Sequence, residues 1–305
     1  MSVRQLHAVD VFADPSFPFH CEIFQAPGGD YPEHTHEFTE LEIIFQGSAI
    51  ETIDGRDYAV AKGSVLAMTG AVTHATRQTA NALMFMLQMD AEKLAVFSDD
   101  LTALPGYHAL FVLEPRLRAQ QSHAGYLKLS PHDLAQVEGL ALRLRDAWRD
   151  KHPGHRYLIR ALLMELIGYL CQVYAATDHA DAGDMLRIAK VLSYIEQHYE
   201  EELALADILR QARMGRNAFH VAFRRATGLA PVAYLIRHRL QRAIILLRTT
   251  SKSVTDIGLQ VGFSDANYFA RKFREIVGVS PRAFRASSAA RISKLERRLT
   301  LPTAQ

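Results

Sequence analysis

Four side chains in the first quarter of the chain have the types and spacing of a ligand-holding site: His34, His36, Glu40 and His74. His34 and His36 are two residues apart, so in an extended strand both imidazoles leave the same face, where Glu40 and His74 can join them. Three imidazoles with one carboxylate suit a divalent transition metal. The same groups donate and accept hydrogen bonds, which suits a hydroxyl-rich small molecule in a confined space. The four are therefore expected to line a small-molecule pocket, with metal ligation as the alternative use of the same set. The sequence fixes no cofactor; a divalent metal is the candidate.

A second chemistry sits at the other end, where one pattern occurs twice. Asp207-Ile208 is followed by Met214-Gly215, Phe219, Phe223-Arg224, Gly228 and Pro231, and Asp256-Ile257 by Phe263-Ser264, Phe269, Phe273-Arg274, Gly278 and Pro281. The offset is 49 residues up to Met214/Phe263 and 50 from Phe219/Phe269 onward, so one residue is inserted in the second turn. Each copy reads as a short helix, a tight turn and a second helix with an aromatic pair at i, i+4. That is the plan of a helix-turn-helix, whose second helix lies in the DNA major groove. In the second copy Gly262 permits the turn, Ser264 is expected to cap the next helix, and Ala266, Asn267, Ala270 and Arg271 face the groove. In the first copy the groove-facing residues are Asn217, His220 and Val221. Arg can read guanine, Asn can read adenine, and Val can touch a thymine methyl. Arg216, Arg224, Arg225, Lys272 and Arg274 are expected on phosphates, which set register without reading sequence. Between the copies, Pro231 to Arg248 should form one helix with Leu235, Leu240, Ile244 and Leu247 inward. Such a rod, about 25 Å long, can set two recognition helices about one DNA turn apart.

Charge agrees. From Met185 to Gln305 there are 21 Lys+Arg against 9 Asp+Glu, a net of +12, while the other 184 residues hold 14 against 24, a net of −10. The formal total of +2 conceals this division. A basic helical half suits a phosphate backbone, because neutralising it releases counterions.

Residues 1 to about 90 read as short strands at His20 to Gln25, Leu41 to Phe45, Ser48 to Ile53, Asp57 to Val60 and Leu83 to Met89. Turns are expected at Pro27-Gly28-Gly29-Asp30, Gln46-Gly47, Asp54-Gly55-Arg56 and Lys62-Gly63. Many short strands favour a barrel or sandwich. Residues 91 to 180 are mostly helical, and the run Tyr157 to Tyr174 puts Leu158, Leu162, Leu166, Leu170 and Val173 on one stripe, widened by Ile159, Leu163 and Ile167. So broad a face suggests an isologous dimer seam near Leu162, Leu166 and Leu170. Thr177 to Asp184 reads as a polar linker and Arg291 to Arg298 as a basic tail.

Residues 186 to 285 resemble the double helix-turn-helix domain of AraC-type transcription regulators, most closely through Ser253-Val254-Thr255-Asp256-Ile257-Gly258, Val261-Gly262-Phe263-Ser264-Asp265-Ala266-Asn267-Tyr268-Phe269 and Gly278-Val279-Ser280-Pro281. The first copy departs from that pattern: Leu209 follows the helix Ile, Arg213 replaces the turn glycine and Gly215 the capping hydroxyl. Gly28-x5-His34-Thr35-His36-x3-Glu40-x6-Gly47 is similar to the first cupin motif at every fixed position. The second cupin motif is represented by Gly63, Ala71 and His74, with Thr69 at its proline and no later asparagine. The block Tyr31 to Leu41 also resembles the sensory domains of sugar-responsive regulators of that family, the rhamnose regulators among them. The resemblance implies a multidomain α+β chain. It would comprise a cupin-like effector-binding β-barrel (1–115), a helical dimerisation segment and linker (116–184), an all-α double helix-turn-helix domain (185–290) and a basic tail (291–305). It implies promoter DNA, a small-molecule effector, a homodimer and RNA polymerase as partners.

At 305 residues, 49% hydrophobic and 22% charged, the composition is that of a globular chain with room for two cores. Cys21 and Cys171 are too few and too far apart in sequence for a disulfide framework or zinc finger. No run approaches 18 uninterrupted apolar residues, and Met1 to Asp14 lacks a signal-like apolar core, so a cytoplasmic protein without a membrane partner is expected. No phosphate-binding glycine loop or nucleophile elbow appears. The expected function is a non-enzymatic, effector-responsive regulator, and a sugar is favoured over an aromatic or fatty acid. The alternatives are a metal-dependent cupin enzyme fused to a nucleic-acid-binding module, and a constitutive DNA-binding protein whose barrel is only a scaffold.

Overall fold

In the computed structural model the described residues are 3–26, 30–70, 72–94, 99–119, 126–176 and 183–287. The Pro27-Gly28-Gly29 turn with its motif glycine, Ala71, linker residues 177–182 and the basic tail fall outside them. The chain divides into two compact units, Met1–Ala189 and Lys190–Gln305.

The first unit is built on eight strands: β1 (Arg4–Leu6), β2 (Phe19–Gln25), β3 (His34–His36), β4 (Thr39–Ile53), β5 (Arg56–Ala61), β6 (Ser64–Met68), β7 (Val72–Met89) and β8 (Leu127–Lys128). They form one sheet in the order β1-β3-β7-β4-β6-β8, with β2 also on β7 and β5 also on β4. The two long strands are its axis, pairing antiparallel from Thr39↔Met89 to Ile53↔His74. Each changes neighbour midway. β7 pairs β2 at one end and β3 at the other, and β4 pairs β6 and then β5. Strands that switch neighbours at bulges turn the corners of cupin-like double layers.

This corrects one expectation. Gln46-Gly47 is not a turn between two strands but a kink inside β4, where the register shifts repeatedly between Ile44 and Ile50. Gly47 has φ +73, and a Cβ there would lie 2.3 Å from the Ala80 and Asn81 carbonyl oxygens, so only glycine fits the bulge. The Asp54-Gly55 turn is present, with φ 48 and 77 at its two central residues, as a tight hairpin requires.

Helices α1 (Pro131–Asp150) and α2 (His155–Ala176) pack together, and α1 also packs on β2. Ser130 caps α1 by accepting from the Asp133 N–H, and Pro131 occupies its first turn. Trp148 meets Phe19 edge-on, 5.5 Å between ring centroids. The expected dimer seam on α2 is corrected: Leu162, Leu166 and Leu170 are 2%, 0% and 0% exposed within a single chain. α1 flanks the stripe on one side and the helical turns Pro105–Tyr107 and His108–Leu113 on the other, so both flanks have intramolecular partners. Gly106 approaches α2 so closely that a Cβ would collide with the Cys171 carbonyl. Leu158, expected on the stripe, is instead exposed, together with Tyr157 and Met164. By length and hydropathy α2 could cross a membrane, yet its apolar stripe is covered by the unit's own core.

The second unit follows α3 (Gly183–His198), which straddles the division, with α4 (Leu205–Ala212), α5 (Arg216–Thr227), α6 (Pro231–Thr249), α7 (Val254–Gln260), α8 (Ala266–Val277) and α9 (Pro281–Arg285). α6 is the expected rod, with Leu235, Leu240, Ile244 and Leu247 buried. Arg239 on it donates to the Tyr199 and Glu201 carbonyls at 2.7 and 2.6 Å, fixing the chain after α3. Gly262 has φ +90, and a Cβ would strike the Tyr199 carbonyl at 2.3 Å, which explains a glycine at that turn.

Leu166→Ala is expected to lower unfolding free energy by about 2–5 kcal/mol, read by urea denaturation. Because the residue is core and not seam, the loss should be the same at low and high protein concentration. A loss that changes with protein concentration would restore the dimer seam.

Candidate functional site

β3 delivers His34 and His36 to the barrel interior, β4 delivers Glu40 and β7 delivers His74. The register pairs His34 with His74 across β3 and β7. Their ligating atoms lie within 4.8 Å of one another, and all four residues are buried. His74 Nε2 is 3.2 Å from Glu40 Oε1, and His36 Nε2 is 3.6 Å from Glu40 Oε2. Gln88 Nε2 donates to Glu40 Oε2. Each imidazole turns its Nδ1 to a backbone carbonyl: Pro32 at 3.0 Å, Phe38 at 2.9 Å and, more loosely, Val72 at 3.5 Å. A carbonyl can only accept, so Nδ1 carries a proton, which leaves the Nε2 lone pairs of His34 and His36 free to ligate, while His74 Nε2 donates to Glu40 in the absence of a metal.

The charges follow from these contacts. Burial alone would raise the Glu40 pKa, but the hydrogen bond and charge of His74, with His36 and Gln88, bring it down to about 2. Burial opposes protonation of His74, and Glu40 overcomes it, so its pKa is raised. His36 is pushed down to about 4 by burial, and His34 is lowered by burial and by His74. The cluster therefore holds an ionised Glu40 that favours the protonated form of His74, beside two imidazoles that burial favours in the neutral form. A divalent cation and the His74 proton are alternative counter-charges for the same carboxylate.

His34 and Glu40 border a cavity of about 240 Å³ that is also lined by Glu22, Asp30, Tyr31, Glu42, Met84, Met86 and Gln88, while His36 and His74 are not on its lining. Several of these were missed in the sequence. Glu42 follows Glu40 by two, so strand alternation places it on the same inner face, a signal that was available. Glu51 was not accessible in that way, because the bulge at Gly47 lies between. Both acids are buried. Glu42 is pushed well above the usual carboxylate range by burial, with Glu51 and Glu40 adding to it. Glu51 is raised to about 8 by burial, against a hydrogen bond from Thr76 and the nearby His74.

In the second unit the paired helices carry the other expected set. Phe219 and Phe223 on α5, and Phe269 and Phe273 on α8, are fully buried and hold these helices on the core. Asn217 and Val221 are exposed on α5 and Asn267 and Arg271 on α8, while His220, Ala266 and Ala270 are half-buried. Arg216, Arg224, Arg225 and Arg274 are exposed. Lys272 is half-buried and held by Glu275 at 2.9 Å, and the Arg271 guanidinium lies 5.3 Å from the Tyr268 ring centroid. The expected Ser264 cap is corrected: Asp265 caps α8, accepting from the Asn267 and Tyr268 N–H groups at 3.0 Å each. The one-residue insertion places Asp265, and not Ser264, opposite Gly215, the cap of α5.

Because Glu51 binds its proton more tightly when folded, its contribution is greatest below the unfolded carboxylate range and is lost as pH rises toward 8. Glu51→Gln should therefore gain thermal stability relative to the parent protein between pH 5 and pH 8.5, by on the order of a few degrees. Parallel melting curves across that range would contradict it.

Comparison with known proteins matches both halves. Residues 17–167 match the model of the AraC-like ligand binding domain and residues 208–287 that of a helix-turn-helix domain. The HTH-type transcriptional activator RhaS of Klebsiella pneumoniae (strain 342) is 27% identical over 259 residues, 85% of this chain and 89% of that protein. RhaS of Escherichia fergusonii is 28% identical over 285 residues, 93% and 97% of the two chains. A solved AraC-type regulator structure from Chromobacterium violaceum is 34% identical over 34% of this chain and 94% of its own, with a TM-score of 0.33. A ligand-binding barrel followed by paired helix-turn-helix units, each matched in its own place, makes this chain a member of the AraC family of DNA-binding transcription regulators.

Proposed function

We propose that the barrel senses a sugar or related metabolite through His34, His36, Glu40 and His74, and that α5 and α8 read successive major grooves of promoter DNA. The observation that carries the proposal is the duplicated recognition surface. Each copy buries its Phe pair and leaves an exposed hydrogen-bonding residue, Asn217 or Asn267 with Arg271, on the opposite face. Base reading falls to Asn217, His220, Val221, Ala266, Asn267, Ala270 and Arg271. Arg216, Arg224, Arg225, Lys272 and Arg274 hold phosphates, Lys272 by exchanging Glu275 for DNA. The relatives named RhaS support a sugar, and their designation as activators supports contact with RNA polymerase in the cytoplasm.

The division of labour is 1–115 for effector binding, 116–184 for dimerisation and linkage, 185–290 for DNA and 291–305 as a tail. With the α2 stripe buried, the exposed Tyr157, Leu158 and Met164 are the surface offered to a second copy. The protein is a regulator without catalysis; the alternative of a metal-dependent cupin enzyme has only the ligand cluster in its favour.

Arg271→Ala should cost about 1–3 kcal/mol on the cognate site and relax preference at one base pair. Titration of labelled promoter DNA at several salt concentrations measures this, with affinity falling on the order of a hundredfold from low to moderate salt. Equal loss on cognate and random DNA would make Arg271 a phosphate contact. Metal content decides the use of the histidine cluster. If it holds a divalent ion, purified protein carries close to one equivalent, lost in His36→Ala; sugar-induced thermal stabilisation that survives chelation assigns the pocket to the sugar alone.

A further inference from the structure

The cavity is lopsided in charge. Glu22, Asp30, Glu40 and Glu42 line it, and no Lys or Arg does among the described residues. Glu40 is hydrogen-bonded to His74, whereas the charged groups nearest Glu42 are the carboxylates Glu40 and Glu51. Glu42 is 4% exposed, and its Oε2 carries no hydrogen bond. Glu22 and Glu42 stand on either side of Met86, both in register with it, so two carboxylates flank one apolar side chain. Glu42 is the buried member of this pair, Glu22 being exposed beside His20; a buried acid with no basic neighbour stays protonated at a cost, and a ligand cation can take the proton's place.

We infer that the effector of this pocket carries a protonated amine together with hydroxyl groups, as an amino sugar does, and that the amine seats against Glu42 with Glu22 beyond it. This rests on the sugar-sensing reading and sharpens it. The hydroxyls find His34, Gln88 and Thr76, and the apolar ring face finds Met84, Met86 and Phe24. At about 240 Å³ the space lies just below the roughly 300–1,000 Å³ of drug-sized ligand pockets, which fits a single ring and not a long acyl chain. The same charge pattern rejects uronic acids and sugar phosphates, whose anions would meet carboxylates with no cation between them.

The test is calorimetric titration of the full-length protein with matched pairs: D-glucosamine against D-glucose, D-galactosamine against D-galactose, and D-galacturonate as the anionic member. At least one amine should bind tenfold or more tightly than its parent sugar, with galacturonate silent. Glu42→Gln, which keeps shape and removes charge, should abolish that preference while retaining the parent sugar's affinity, with promoter binding as the check on folding. If a neutral sugar binds as well as its amine, or the preference survives both Glu42→Gln and Glu22→Gln, the amine inference fails and sugar sensing stands. If no member of the panel binds, sugar sensing fails and the inference with it.

Discussion

The barrel is organised around one expensive object, the Glu40 carboxylate, 1% exposed in the interior. An isolated buried carboxylate would give up its charge, and Glu40 keeps it because partners arrive from neighbouring strands: His36 from β3, His74 and Gln88 from β7. That requirement fixes the register of three strands at once. A slip of one residue in β7 would turn His74 and Gln88 outward and leave Glu40 unpaired. The polar cluster thus specifies the barrel even where it adds little to stability. Glu42 and Glu51 lack equivalent partners, and the fold holds them at a cost that the surrounding core offsets. Places where a local rule is broken this way are where function concentrates.

How far these features could be read from the chain depended on whether the signal was local. His34 and His36 were legible because strand alternation needs only two residues, and His74 because its spacing after Gly63 resembled a known motif. Glu51 was not, since its inward orientation depends on a bulge that also disguised one strand as two. The helix-turn-helix pair was legible because it is duplicated, so each copy checks the other. The α2 stripe failed for the opposite reason. Periodicity gives the width of an apolar face but not what covers it, and the covering turns at Pro105–Leu113 are too short to announce themselves. Capping failed by one residue, since Ser264 and Asp265 are both good caps and only the insertion decides between them.

The duplicated halves differ in how their helices begin. In the second copy Ser253, Asp265 and Ser280 each accept hydrogen bonds from the N-terminal amides of α7, α8 and α9. At the matching positions of the first copy stand Ala204, Gly215 and Ala230, none with a side-chain cap. Asp207 recovers part of this by reaching back to the Ala204 N–H at 3.2 Å. Each missing cap costs about 0.5–2 kcal/mol for Ala and less for Gly. Packing differs too. Gly258 lets Phe269 sit directly on α7, where a Cβ would lie 2.8 Å from the ring, while Leu209 holds the matching place in the first copy. The second copy is therefore the more firmly built of the two.

Firmness and chemistry run in the same direction. In the proposed DNA-reading role, α8 presents Asn267 and Arg271, groups whose paired hydrogen bonds can discriminate bases, on a firmly capped helix. α5 presents Asn217 and a 70% exposed Val221 where Arg271 stands in α8. An exposed valine gains nothing in water, yet against a thymine methyl it loses hydration and gains packing without any charge to align. A less firmly capped helix also spends part of its contact energy on its own ordering. Both effects lower the net contribution of α5 relative to α8. In that role the α6 rod between them would tie the weaker reader to the stronger one, so that α5 would need only to favour its groove once α8 is seated, at an effective concentration set by the rod and not by diffusion.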